Sequence, residues 1–203
     1  MPRFLSAALL FALPLAVAAN NLVLGYIVDT TLETDDGLNQ VDIDGDGFSI
    51  AFDADLGSSV YAYGEYTDRS FDEGGFELDI SQTRLGLGLF QGIEGNDGRF
   101  YFGAGLERAE ISAFGSSGSE SGFGARAGVL LVGASRAEFQ SEIIYLSIDD
   151  TEGFEFLARL AMPFGETVSG FVDYRRVDVE DDSGGSDDEL TIDDIRVGVK
   201  LGF

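Results

Sequence analysis

The end of the chain carries the pattern that most limits its fold. Apolar side chains occupy every second position there, namely Ile195, Val197, Val199, Leu201 and the terminal Phe203. Small or cationic residues stand between them, namely Arg196, Gly198, Lys200 and Gly202. Side chains of a β-strand alternate between two faces, so the pattern predicts a strand with one apolar face. A strand that ends the chain on an aromatic residue, with no polar tail, is expected where that face meets lipid.

The rest of the chain divides into segments of strand length. Strands are predicted at 21–33, 47–56, 59–69, 77–90, 99–111, 122–132, 136–148, 154–163, 167–179 and 190–203. Short links at 56–59, 91–98, 132–135 and 163–166 alternate with longer or more polar links at 34–46, 70–76, 112–121, 149–153 and 180–189. A membrane-spanning strand needs about 9–11 residues, and membrane barrels put short turns on one side and longer loops on the other. We therefore predict an all-β fold, a single antiparallel up-and-down transmembrane barrel of ten strands, with eight as the alternative.

Strand 77–90 changes the face that carries its apolar residues. Leu78 and Ile80 lie on one face, whereas Leu85, Leu87 and Leu89 lie on the other. This change indicates either a β-bulge or the point at which the strand leaves the lipid.

Aromatic residues recur near the predicted strand ends. They are Tyr66, Phe90, Phe100, Phe139, Tyr145, Phe164, Phe171, Tyr174 and Phe203. Transmembrane barrels have girdles of aromatic residues at both membrane boundaries, so the pattern favours a membrane barrel over a soluble β-sandwich.

The first residues resemble an export signal. Arg3 precedes an apolar segment over 4–17, and small residues over 16–19 provide a cleavage site. The apolar run is about 14 residues, shorter than the roughly 20 that a membrane helix needs. We therefore predict a removed signal peptide at 1–19 and one barrel domain at 20–203, which suits a chain of 203 residues.

Composition removes several functional classes. The chain has 12 Lys and Arg against 37 Asp and Glu, a net charge of −25, so its surface repels nucleic-acid backbones. It has no Cys and no His, which removes disulfides, thiolate metal sites and the usual imidazole base. Paired carboxylates such as Asp53 with Asp55 are common here by chance. We therefore predict that the protein is not an enzyme and has no catalytic residues.

If the apolar faces meet lipid, the opposite faces line a lumen. These faces carry Asp53, Asp55, Glu65, Arg84, Glu107, Arg126, Glu138, Glu142, Arg159, Asp173, Arg175, Arg196 and Lys200. Arg69 belongs to the same set. Charges in a narrow interior must pair, because an unpaired buried charge costs several kcal/mol. Two interpretations stay open: a salt-bridged lumen filled by side chains, and a slender pore with a constriction of charge.

The acidic links suggest weak cation binding. The run 42–47 places Asp42, Asp44 and Asp46 at alternate positions before a glycine, as at the start of a calcium loop. Position twelve would be Asp53 instead of the usual Glu, and no flanking helices are predicted. A solvated acidic loop that holds Ca²⁺ or Mg²⁺ loosely is the simpler interpretation, and we predict no tightly bound cofactor.

With its terminal strand, signal segment and ten-segment pattern, the chain resembles the small outer-membrane β-barrel proteins of Gram-negative bacteria. It is most similar to the porin-like and opacity-type barrel-domain families. The motif that carries this resemblance is Ile195, Val197, Val199, Leu201 and Phe203, which resembles the signal read by the barrel-assembly machinery. The resemblance implies an outer-membrane location, contact with membrane lipid, and roles in envelope integrity, adhesion or slow diffusion. A monomer is favoured.

Three functional hypotheses follow. The first is a structural or surface-interaction barrel with a filled lumen, and the second is a small porin-like channel for ions or small solutes. The third is a secreted soluble β-sandwich that binds calcium.

Overall fold

The protein folds as one closed β-barrel. The computed structural model describes residues 20–35, 40–73, 76–181 and 188–203. The strands are β1 (Asn21–Asp35), β2 (Gln40–Asp55), β3 (Val60–Glu73), β4 (Phe76–Gly92), β5 (Arg99–Ala113), β6 (Ser116–Val132), β7 (Glu138–Ile148), β8 (Thr151–Pro163), β9 (Val168–Asp181) and β10 (Asp188–Gly202). Each strand pairs antiparallel with its neighbours in the chain, and β1 pairs with β10.

The prediction of a ten-stranded up-and-down barrel is confirmed. Eight strands and a β-sandwich are both wrong, because every strand has two partners and the sheet has no free edge. Over the described ranges, no helix is long and apolar enough to cross a membrane. The predicted signal peptide at 1–19 lies outside the described residues.

The two ends of the barrel differ in what they carry. Asn20, which is the first described residue, Phe203 and the four links 56–59, 93–98, 133–137 and 164–167 lie at one end, which we call the terminal end. The five other hairpins lie at the opposite, distal end. Asn20 and Phe203 meet at the terminal end, where the Phe203 amide donates to the Asn20 carbonyl at 3.0 Å.

The longer links predicted at the distal end are mostly strand. The segment 40–46 belongs to β2 and 116–121 belongs to β6, so the polar stretches extend the barrel wall beyond the predicted strands. At the β5–β6 hairpin, Phe114 and Gly115 both have positive φ, as a two-residue type I′ turn requires. Residues 40–44 pair with β1 alone and residues 116–121 pair with β5 alone, and this backbone pairing outweighs the low strand propensity of Asp, Gly and Ser in these stretches.

Within the described strands, the pairing register shifts at one place, a β-bulge in β1. There the pairing to both neighbours shifts between Ile27 and Thr30. Strand β4 pairs with β3 and β5 without a shift, so the bulge considered for strand 77–90 is absent from this described segment. Leu78 and Ile80 instead point inward, and Leu85, Leu87 and Leu89 point outward.

Candidate functional site

A belt of exposed apolar side chains surrounds the terminal part of the barrel. Its members include Leu24, Leu87, Leu89, Phe100, Phe102, Leu106, Phe123, Phe139, Ile143, Phe154, Phe156, Leu160, Met162, Val172, Ile195, Val197 and Val199. Ile195, Val197 and Val199 are the outward residues of the closing strand, on the face that the sequence predicted to be apolar. An apolar surface that runs around a whole molecule is far larger than the patches that soluble monomers expose.

The belt ends abruptly towards the distal end. The next outward position on nine strands is polar: Asp46, Asp68, Thr83, Arg108, Ser121, Ser147, Glu152, Arg176 and Asp193. The segments that carry the belt are therefore 22–28, 48–56, 60–66, 85–89, 100–106, 123–131, 139–145, 154–162, 168–174 and 195–203. We call the wall beyond them the distal extension.

Tyrosines mark this boundary. Tyr26 donates a hydrogen bond to Asp46 at 2.7 Å, and Tyr66 donates one to Asp68 at 3.3 Å. Tyr174 donates in the same way to Asp193. Each pair joins the last aromatic residue of the belt to a carboxylate of the distal extension. A ring with an apolar body and a polar tip suits a boundary between lipid and water.

Two of the predicted girdle aromatics lie inside the barrel instead. Phe171 is buried with Val23 and Ala161, and Phe90 packs on the Tyr61 ring at 6.4 Å between centroids. Their sequence positions were near strand ends, but their parity puts them on the inward face. A position near a strand end therefore predicted the height of a ring along the barrel axis. It did not predict whether the ring faces inward or outward.

At the level of the belt, the interior holds a network of ion pairs. Arg84 contacts Glu107 at 2.6 Å, Glu155 at 2.8 Å and Glu65 at 3.4 Å. Arg175 pairs with the same Glu65 and, at 3.0 Å, with Glu155. These contacts join β3, β4, β5, β8 and β9, so they can form only across the interior.

The network continues towards the closing strand. Arg196 contacts Asp173 at 2.6 Å and Glu65 at 3.1 Å. Arg159 contacts Asp173 at 2.7 Å. Shared carboxylates link these pairs to Arg84 and Arg175. The result is one connected layer of charge across the barrel, in which the Glu65 and Arg159 side chains are 13% and 11% exposed and the other members are almost fully buried.

The structure places every charged residue that the sequence assigned to the lumen in an inward ion pair. Outside the central network, Arg126 pairs with Glu142, Lys200 pairs with Glu138, and Arg99 pairs with Asp53 and Asp55. The set thus comprises Asp53, Asp55, Glu65, Arg84, Glu107, Arg126, Glu138, Glu142, Arg159, Asp173, Arg175, Arg196 and Lys200. Whether these residues close the lumen or line a narrow pore stays a prediction.

Among the described residues, three charged side chains that the sequence analysis did not assign to the lumen face inward in ion pairs. They are Arg99, Glu155 and Asp194. The signal for Glu155 was present, because it lies between outward Phe154 and Phe156. Asp194 shares the parity of Arg196 and could have been found in the same way. Simple alternation along the predicted strand was enough for each of them.

The distal extension has an apolar interior. Its buried cluster consists of Leu32, Phe71, Ile80, Leu146, Val177 and Ile192, and it includes Ile144 from the adjoining end of the belt segment in β7. Ile43, Leu78, Val179 and Leu190 pack against it. This cluster fills the barrel from wall to wall, since β1, β3, β4, β7, β9 and β10 all contribute. It is the largest of the three apolar clusters in the described part of the chain, and it lies in series with the charged layer.

One ion pair lies between the cluster and the charged layer. Arg69 contacts Asp194 at 2.7 Å, and the Thr30 hydroxyl donates to the same carboxylate at 2.7 Å. Burial alone would raise the pKa of Asp194, but the Arg69 guanidinium outweighs it and holds that pKa below the usual value. The neighbouring Asp68 faces outward, and there burial raises the pKa.

Glycines make room for large side chains in the terminal half of the interior. A Cβ on Gly128 would lie 2.4 Å from the Tyr101 ring, and one on Gly88 would lie 2.3 Å from the Tyr61 ring. A Cβ on Gly124 would lie 2.5 Å from Glu107. These inward glycines let tyrosine rings and carboxylates cross the lumen, so substitution at these positions would push the filling side chains out of place.

The candidate calcium residues do not form a calcium loop. Asp42, Asp44 and Asp46 lie in the extended strand β2, exposed on one face. Alternate residues of a strand are about 6–7 Å apart, so their carboxylates cannot converge as they do around a tight loop. Within the described residues, no group of three acidic side chains is placed to hold a metal ion.

Comparison with known proteins identifies the fold. No protein-family model matches the sequence, and no curated protein matches it. The outer membrane protease OmpT of Escherichia coli has a similar structure, with a TM-score of 0.51 and 12% identity over 90% of this chain and 96% of that chain. The shared feature is the barrel.

Two further solved structures have lower scores. Neisserial surface protein A matches with a TM-score of 0.46 and 11% identity, over 91% of this chain and 98% of that one. The outer membrane protein OprG of Pseudomonas aeruginosa matches with a TM-score of 0.43 and 10% identity, over 92% and 97%. The likeness to OmpT confirms the expected resemblance to outer-membrane barrels for the fold, and at these identities no residue role or activity is transferred.

Proposed function

We propose that this chain is an outer-membrane barrel whose lumen is closed by its own side chains and whose role is structural or surface-interacting. The supporting observation is the exchange of faces along the wall. In the belt the outside is apolar and the inside is charged, whereas in the distal extension the outside is polar and the inside is apolar. Lipid around the first region and water around the second satisfy both.

The proposal fixes an orientation. Membrane barrels of this type have both termini and short turns in the periplasm, so the distal extension projects outward from the cell. Its outer face carries carboxylates such as Asp44, Asp46 and Glu152, exposed to solvent. We propose this acidic wall as the surface that meets partners, which would be basic or bridged by divalent cations. Insertion by the assembly machinery through the closing strand stays a prediction.

Closure is proposed because two different fillings lie in series. A solute that crossed the barrel would have to pass the charged layer around Arg84 and then the apolar cluster around Phe71. Removing one ion from the first layer leaves the second in place. A porin-like channel is the competing hypothesis, and it requires a continuous aqueous path through both layers.

Fractionation and conductance test the proposal. The protein should sit in the outer-membrane fraction, migrate faster on a gel unboiled than boiled, and show no steady conductance in planar bilayers. The Arg84→Ala variant should also remain closed, provided that its unboiled migration shows a folded barrel. Steady openings of the unaltered protein would establish the channel, and recovery in the soluble fraction would refute the membrane location.

The absence of an enzymatic role is also a proposal. The chain contains no His and no Cys, so the acid–base and nucleophilic pairs that rely on them cannot form. The inward carboxylates are each held by arginine or lysine, which favours a structural use of their charge. The protease function of OmpT belongs to that protein, whose likeness to this chain extends to the fold alone.

A further inference from the structure

Every strand has two partners at the level of the belt, but the wall is uneven in height at the distal end. Strand β6 begins at Ser116, whereas its pairing with β7 begins only where Gly122 meets Ile148. Within the described residues, the segment 116–121 therefore pairs with β5 on one side and with no strand on the other. All of its residues are exposed. We call this segment the β6 flank.

The geometry of the hairpin determines which backbone groups of the β6 flank are unused. The β5–β6 turn has two residues, at 114–115, so Ala113 and Ser116 form a hydrogen-bonded pair. Hydrogen-bonded and non-hydrogen-bonded pairs alternate along an antiparallel ladder. The amides and carbonyls that point away from β5 therefore belong to Ser117, Ser119 and Ser121. Rows of such groups are templates for pairing with another chain.

The β6 flank lacks most of the features that keep exposed strands from pairing. It contains no Pro, no Lys and no register shift, and its one charged residue is Glu120. The other residues are Ser or Gly, whose small side chains leave the backbone accessible. Arg108 of β5 donates to the Ser119 hydroxyl at 3.0 Å, a contact on the outer face of the hairpin. An added strand therefore has room at the usual spacing of about 4.8 Å.

The inward face of the hairpin has an open position beside an apolar side chain. Gly118 pairs with Ile111, which pairs in turn with the inward Ile80. Ile111 is 49% exposed although it has the inward parity. A Cβ on Gly118 would meet no atom of the described chain within 4 Å. A large apolar side chain on an adjacent strand, opposite Gly118, would therefore extend over the glycine and cover Ile111.

The charges around this space favour a cationic occupant. Glu120 has the same inward parity as Gly118, two residues along the β6 flank. Asp149 and Asp150 form the exposed turn at the foot of the space, where β7 ends. A second copy of this chain, with a net charge of −25, would add carboxylates to these groups, whereas Lys or Arg would neutralise them.

We propose that the β6 flank binds an extended segment of a basic partner protein as an added antiparallel strand, in line with β7. Main-chain hydrogen bonds supply the affinity. A Lys or Arg opposite Glu120 and a large apolar residue opposite Gly118 supply the specificity. The inference names a partner for the surface-interacting role, so it rests on that part of the proposed function. It needs neither the closed lumen nor the membrane location.

A synthetic peptide tests the inference on the folded barrel in detergent micelles. The peptide Thr-Lys-Thr-Phe-Thr-Lys-Thr, capped at both ends, places its Lys and Phe side chains on one face of a strand. Hydrogen exchange of the unaltered protein is the first readout. With saturating peptide, exchange should slow at least about 5-fold for the amides of Ser117, Ser119 and Ser121. The amides of Gly118 and Glu120, which already face β5, should exchange at unchanged rates. The same peptide with Glu in place of Lys should not bind.

Proline in the middle of the β6 flank provides a matched variant. Ser119→Pro removes an amide that points away from β5, so the hairpin should be retained and the unboiled protein should migrate as a folded barrel. Its affinity for the peptide, measured by calorimetry, should fall about 10-fold, which corresponds to about 1.4 kcal/mol. Ser119→Ala loses the same hydroxyl but keeps the amide, so it should bind with unchanged affinity.

Several results would overturn the inference. Absence of saturable binding would do so, as would equal affinity in Ser119→Pro and Ser119→Ala or equal binding of the Lys and Glu peptides. Dimers of the unaltered protein that protect the same amides without peptide would show that a second copy occupies the β6 flank. The exchange pattern needs no variant, so it decides the matter even where Ser119→Pro does not fold. None of these results alters fractionation or conductance, so the proposed function is tested separately.

Discussion

The belt region and the distal extension share one backbone wall but have opposite side-chain arrangements. Around the belt, residues such as Leu87 and Phe102 face outward while Arg84 and Glu155 lie inside. In the distal extension, Phe71 lies inside, and the outer face is polar. The backbone hydrogen bonds continue through the boundary without interruption in β4. The position of the boundary is therefore set by side chains alone.

The comparison shows that each region resembles a different kind of protein. The distal extension has the packing of a soluble barrel, with an apolar core and a hydrated surface. The belt region has charge where a soluble protein has its core, and that charge must be fully paired to be tolerated. Stability should therefore depend on packing volume in one region and on charge pairing in the other.

The largest expected effect lies where the two regions meet. Arg69→Ala removes the ion-pair partner of Asp194 and leaves a fully buried carboxylate with the Thr30 hydroxyl alone. We expect a loss of about 4 kcal/mol in the free energy of unfolding, measured by urea titration in lipid vesicles. A small loss would mean that water reaches Asp194 and that the boundary is open.

The double variant Arg69→Met with Asp194→Leu is the control for that experiment. It removes both charges and keeps volume, so its stability should be close to that of the unaltered protein. The low pKa of Asp194 adds a second check. Its contribution is present above the unfolded-state pKa of about 3.9 and is lost as pH falls through the lower folded-state pKa. The double variant should lack this acid-side loss.

A substitution in the apolar cluster should have the next largest effect. Phe71→Ala opens a cavity at a fully buried site, and we expect a loss of about 3 kcal/mol that does not depend on the surrounding amphiphile. Phe102→Ala alters a side chain that is 64% exposed on the belt, so its effect should change between detergents and lipids. Equal dependence on amphiphile for the two variants would contradict the assignment of the two regions.

A charge placed on the outer surface should have the smallest of the three effects and should depend on its level. Leu87→Arg puts a cation in the middle of the belt, with an expected cost of about 2 kcal/mol in vesicles. Ser117→Arg puts the same cation on the exposed wall of β6 in the distal extension and should cost less than about 0.5 kcal/mol. Similar costs at both positions would mean that lipid does not surround the belt.

The barrel and its inward charges were predictable because alternation is local. The parity of Arg84 and Arg126 within their strands is enough to place them inside. Their specific partners were not predictable, since Arg84 with Glu155 joins strands that are distant in sequence. Glu65 alone forms ion pairs with three arginines, and the residues next to it in the sequence do not predict that arrangement.

The distal extension was predicted as loops because its composition is typical of loops. Asp42, Asp44 and Gly45 are poor strand formers, yet each lies in β2, where it pairs with β1. The inward positions of Leu78 and Ile80 in β4 could have predicted that the strand continues into the distal extension with its apolar face turned inward. In β4 the change of apolar face without a bulge marks the level at which the belt ends and the distal extension begins.

The alternation of inward and outward side chains along each strand limits how the length of the wall can change. A strand alternates with a period of two, so adding one residue inverts every side chain beyond it, whereas adding two restores them. The shift in β1 at Ile27 shows what a single extra residue does, because it changes which parity faces inward, from Val23 to Thr30 and Leu32. Matched two-residue additions to both strands of a distal hairpin would leave the belt untouched. The length of the distal extension can therefore be adjusted in fixed steps, independently of the belt.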